Sequence, residues 1–140
     1  MRDLPTLALT LIQPWGTLIM HCGKDIENRT WEPDSRLRRG DRLWIHAGKS
    51  FDSETHRRAI ADVPGYYRVA DPDLIPRGAL LGHVRFDGVV RESTSRWFMG
   101  PIGWLLSDPV ALAKPIACRG AQGLWRVPAD IIERAEGGDA

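Results

Sequence analysis

The chain has 140 residues, enough for one domain and too few for two comfortable ones. An apolar share of 43% and a charged share of 26% are those of a globular protein, which excludes a wholly disordered, collagenous or coiled-coil chain. Lysine plus arginine exceeds aspartate plus glutamate by 19 − 18 = +1, which excludes binding of nucleic acid by bulk charge alone and leaves a local basic cleft open.

Leu7 to Ile12 reads as a strand with Leu7, Leu9 and Leu11 on one face. Gln13-Pro14 ends this apolar run too early for a signal peptide or a membrane span, so a cytoplasmic protein with no membrane partner is expected. A short helix follows: Trp15, Leu18, Ile19 and Cys22 fall at helical spacing and Gly23 can end it. Ile26 to Trp31 predicts a second strand, Arg36 to Arg42 a basic turn, and Leu43 to Ala47 a third strand with Trp44 and His46 on its other face. Asp52 to Val63 predicts a helix capped by Asp52 or Ser53, and Pro64 to Gly78 a long loop. Ala79 to Val90 is the longest predicted strand, Trp97 to Gly103 a turn, Trp104 to Leu106 and Leu124 to Val127 short strands, and Pro128 to Ala135 a last helix. Six strands and three helices outside regular βαβ alternation predict an α+β domain with a small barrel or curled mixed sheet, its core within residues 7–135.

Cys22 and Cys118 lie 96 residues apart and no histidines share a ligand spacing, so two unpaired thiols are expected and neither a metal nor a cofactor is called for. The densest polar cluster is Gly23 to Trp31. Strand parity places Glu27, Arg29 and Trp31 on one face, with Lys24 able to swing over the same edge from the preceding turn. Such a line serves either a structural ion pair or a pocket for a planar polar ligand. In the second case Arg29 fixes a phosphate or carbonyl, Glu27 accepts from an exocyclic amine, and Trp31 or Trp15 stacks. Lys49 follows a glycine after a strand, where its side chain can lean over a cleft. His46 reads as a half-buried strand histidine, and Gly120 and Gly123 as a tight turn where backbone can pass close to a strand or a ligand.

Leu11-Ile12-Gln13-Pro14-Trp15 followed by Gly23-Lys24-x-x-Glu27-x-Arg29 resembles the ASCH domain family and its GxKxxExR motif. Further matches are Leu43 to Lys49, Pro76 to Gly82, Trp97 to Trp104 and Gly123 to Trp125, so the resemblance runs from Leu7 to Val127. It implies a PUA-like fold, a small and partly open β-barrel of about six strands flanked by helices, with a cleft lined by Lys24, Glu27 and Arg29. With Gln13, Trp15, Trp31 and Lys49 these residues form the candidate site. The resemblance implies a partner that is RNA or another single-stranded nucleic acid, or a nucleoside or nucleotide. It also implies an alternative, because some relatives are amidohydrolases of N4-acylated cytidine and others are reported to cut RNA. In the amidohydrolase branch a threonine nucleophile stands three positions after the motif lysine. Here that position is Glu27, and Thr30 has the opposite strand parity. An enzyme would therefore use Glu27 to activate water and Lys24 or Arg29 to stabilise the developing anion. A third reading makes Tyr66 and Tyr67 of the 64–78 loop anchors for a protein partner, against the favoured alternative of an ordinary surface loop.

Overall fold

The computed structural model describes residues 4–138. Strands β1 (Leu7–Gln13), β2 (Ile26–Arg29), β3 (Arg42–Phe51), β4 (Ala79–Val90), β5 (Ile102–Ala117) and β6 (Leu124–Arg126) form one sheet in the order β2-β5-β4-β3-β1-β6. Helices α1 (Trp15–His21), α2 (Ser53–Asp62) and α3 (Ala129–Gly138) complete the α+β architecture. β1 and β3 run parallel, and every other neighbouring pair is antiparallel. The parallel pair needs a crossover, which α1 and β2 supply. No helix of the described residues is long and apolar enough to cross a membrane.

Alternation along the strands gives the sheet two covered faces. Leu9, Leu11, Ile45, Val84, Phe86, Trp104 and Leu106 fill its inner face together with Ile19 of α1. Ala8, Trp44, Leu80 and Trp125 meet Ile131 and Ala135 of α3 on the other face. β2 and β6 remain edges, so the backbone ladder is not closed. A side chain bridges the gap. Arg29 Nη2 in β2 donates to the carbonyl of Thr10 in β1 at 3.1 Å, so the sheet curls until its first strand reaches its fifth.

Three sequence expectations are corrected. β2 ends at Arg29, and Trp31 lies beyond it. The short strand expected at Trp104 to Leu106 is one stretch of β5, which spans 16 residues. Tyr66, one of the two tyrosines that the third reading offers as partner anchors, is fully buried in a 3-10 turn (Tyr66–Arg68), where its ring packs with Leu18, Ala59 and Val63; Tyr67 is the exposed one.

Candidate functional site

The motif begins as a helix cap. Gly23 takes a left-handed φ of 79°, which glycine adopts without a Cβ clash, and the Cys22 and Lys24 N–H groups both bond back to the Leu18 carbonyl, which closes the end of α1. The chain thereby leaves α1 with Lys24 turned inward, 3% exposed. Its ammonium donates to the Ile26 carbonyl and to Glu27 Oε1, the latter at 3.3 Å, and lies 5.2 Å from the Trp15 ring centre. Burial pushes the Lys24 pKa below its usual value, against the opposing pull of Glu27.

Glu27 pairs with Trp104 across β2 and β5 and is 8% exposed. Its Oε2 stands 3.1 Å from Arg29 Nε, an ion pair without hydrogen-bond alignment. The Arg29 guanidinium lies 6.0 Å from the Trp31 ring, and Trp31 packs edge-on against Trp104 at 5.1 Å. The result is a line Trp15–Lys24–Glu27–Arg29–Trp31 along the inner face, with one carboxylate between two cations. Asn28, of opposite parity, was not anticipated. Its Nδ2 donates to the Trp97 carbonyl at 2.9 Å and its Oδ1 accepts from the Met99 and Gly100 N–H groups, so it shapes the 95–101 loop.

Arg29 ends on Thr10, whose side chain belongs to the opposite face of the sheet. There the parallel register sets Thr10 beside His46. Thr10 Oγ1 lies 3.1 Å from His46 Nδ1, His46 Nε2 lies 2.7 Å from the Cys118 carbonyl, and Trp125 Nε1 donates to Thr10 Oγ1 at 2.9 Å. A carbonyl only accepts, so neutral His46 carries its proton on Nε2 and Nδ1 accepts from the Thr10 hydroxyl. Burial lowers the His46 pKa, which the Cys118 bond partly offsets. Gly120 lies directly over this pair. A Cβ there would stand 2.6 Å from both Thr10 Oγ1 and His46 Cε1.

Thr10, His46, Lys49, Arg119, Gly120 and Gln122 line a cavity of about 740 Å³, and no carboxylate belongs to its lining. The sequence profile of the ASCH domain matches residues 9–102. The chain belongs to the ASCH domain family. Activating signal cointegrator 1 from Homo sapiens is 25% identical over 149 residues, which is 93% of this chain and 24% of that protein, so this ASCH domain spans about a quarter of its relative's length. The crystal structure of ASCH from Zymomonas mobilis superposes with a TM-score of 0.57 at 15% identity, covering 94% of this chain and 93% of that one. A point mutant of the same protein superposes at 0.56, also at 15% identity, covering 94% and 96%. Both are likenesses of fold.

Within this ASCH domain the expected site residues separate. Lys24, Glu27 and Arg29 are joined as expected, between Trp15 and Trp31. Lys24 borders a cavity of about 320 Å³ with Asp25 and Ser107, while Glu27 and Arg29 line none of five cavities found on the described residues. Trp15 borders another, of about 290 Å³, with Arg58, Arg96 and Trp97. Gln13 is fully buried. Its Oε1 accepts from the Thr17 N–H at 3.0 Å and its Nε2 donates to the Pro76 carbonyl at 2.8 Å, which ties α1 to the 64–78 segment. Lys49 alone of the seven lines the largest of these cavities. Sequence reasoning passed over Thr10, and read the segment holding Arg119 and Gln122 as a tight turn without giving either side chain a role. The available signal was Thr10 itself, a polar side chain in an otherwise apolar strand.

Proposed function

We propose that this ASCH domain binds single-stranded RNA or a nucleotide in the cavity between β1, β3 and the 118–122 segment. The observation that carries the reading is the lining: two cations, Lys49 and Arg119, on a cavity of about 740 Å³ with no carboxylate. Lys49 and Arg119 suit phosphate oxygens. Gln122 and the backbone exposed by Gly48, Gly78 and Gly120 offer both donors and acceptors to a base edge. Family membership supports the reading. The Lys24–Glu27–Arg29 line then acts from behind, holding the carbonyl of the residue whose hydroxyl lines the cavity.

The test is a fluorescence anisotropy titration with a short single-stranded RNA and with mononucleotides over a range of salt. Two phosphate contacts give a log–log salt slope of about −1.4, at roughly 0.7 per contact. Lys49→Ala and Arg119→Ala each reduce that slope by about 0.7 and weaken binding. Affinity that ignores both substitutions refutes this placement.

A further inference from the structure

We propose that Thr10 is a nucleophile with His46 as its general base, and that the cavity releases an ester-linked acyl group from an anionic carrier of the nucleotide class. The identity of the carrier rests on the recognition reading above; the chemistry does not.

A hydroxyl nucleophile requires a base within hydrogen-bond reach and a third group that orients the base. Thr10 Oγ1 and His46 Nδ1 are 3.1 Å apart, and the Cys118 carbonyl fixes the far side of the ring at 2.7 Å. The bond directions matter as much as the distances. Nδ1 is the unprotonated nitrogen, so it is ready to receive the Thr10 proton. The Trp125 indole N–H points at the same oxygen and favours the charge that develops there as the proton leaves. Gly120 is part of the arrangement, because any side chain there would collide with both Oγ1 and the imidazole. Thr10, His46 and Lys49 all line the same cavity, which brings the hydroxyl–imidazole pair and a cation for the anionic part of the substrate into one space.

The reaction balances with water as the second reactant. Thr10 Oγ1 forms a bond to the carbonyl carbon as its proton passes to His46 Nδ1. The bond from that carbon to the leaving oxygen then breaks, and the leaving oxygen takes the proton. Water attacks the acyl-threonine ester, gives a proton to Nδ1, and Oγ1 recovers it as the Oγ1–C bond breaks. A carboxylic acid and an alcohol are the products, with no change of oxidation state.

The probe is p-nitrophenyl acetate, a small ester with no nucleotide, followed by p-nitrophenol release and by peptide mapping after rapid quench. Acetyl appears on the peptide bearing Thr10. Thr10→Val loses it and slows release about a hundredfold or more, Thr10→Ser restores it, and His46→Gln slows its formation by a similar factor. Thermal melts show whether each variant folds, and His46→Gln decides the matter if Thr10→Val does not. Acetyl found only on lysines, or an unchanged rate in a folded Thr10→Val or His46→Gln chain, overturns the proposal. Adenosine and cytidine monophosphates added as competitors separate the two readings. Protection of Thr10 supports both. Acetylation without protection leaves the nucleophile standing and removes nucleotide recognition from this cavity. Nucleotide binding without acetylation removes the nucleophile alone.

Discussion

Glu27 faces a cation on each oxygen, Lys24 at 3.3 Å and Arg29 at 3.1 Å. Removing one partner of a buried pair costs about 3–5 kcal/mol, mostly because the other charge is left without compensation, whereas replacing both partners with apolar groups is often close to neutral. Glu27→Gln is therefore expected to destabilise the chain by roughly that amount, and Lys24→Met less, since Glu27 keeps Arg29. The double variant should be more stable than the sum of the two losses, with a coupling of about 0.5–3 kcal/mol in urea denaturation. Strict additivity would mean that the two side chains do not act as a pair. Arg29 has a separate duty, because its contact with Thr10 spans the gap in the sheet. The parity of Glu27 and Arg29 was legible in the sequence, since alternation fixes which strand residues share a face. The Thr10–His46 contact was not. The two residues are 36 positions apart and meet only through the register of a parallel strand pair, which no local spacing encodes.

Among the elements, β5 is the one its own sequence argues against. Pro109 and Pro115 oppose a long strand at 102–117, because proline cannot donate to a ladder. Both fall in gaps. Partners exist for Trp104, Leu106 and Ser107, then Val110 and Ala111, then Ile116 and Ala117, with neither proline paired. The strand tolerates them by interrupting its ladder, and Gly82 lets β4 approach at one such irregularity, where a Cβ would meet the Val110 carbonyl at 2.3 Å. The glycine was visible in the sequence; the register it permits was not. In the 3-10 turn, burial and, to a lesser degree, neighbouring Cys22 push the Tyr66 phenol from 10.0 up to about 12. Its hydroxyl meets His56 Nδ1 of α2 at 2.7 Å. The folded chain keeps this proton where the unfolded chain has lost it. Its stabilisation is thus complete below pH 10 and disappears as pH rises from about 10 to about 12. Denaturation midpoints should fall across that window more steeply in the native sequence than in Tyr66→Phe, and parallel curves would exclude Tyr66 as the cause.

Across the whole molecule, an internal network and an external cavity use the two sides of one strand. Arg29 grips the backbone of Thr10 from the inner face, while the Thr10 hydroxyl serves the outer one. The family motif and the cavity of about 740 Å³ are therefore neighbours through a wall, and a substitution in the motif can reach the cavity through it. The α+β class, the strand count and the helices were readable because apolar periodicity is local. The strand order was not, since β1 finds β3 and β6 at long range.

One wall of the cavity, the 118–122 segment, is made late in synthesis relative to Thr10 and His46. Trp125 meets Thr10 across 115 positions of chain. At about 5–20 residues per second, roughly 6–23 s separate the synthesis of the two. For most of that interval β1, β3 and β4 have been synthesised, while Arg119 and Gly120 of the cavity wall and Trp125 behind Thr10 have not. Strands β1 to β5 are therefore made before this wall, and a nascent chain lacks the proposed binding site until residues 118–126 arrive. Stalled chains ending at residue 117 are expected to resist protease over the early strands while failing to bind a labelled nucleotide, and chains extended through residue 138 with a tunnel-length linker are expected to bind it.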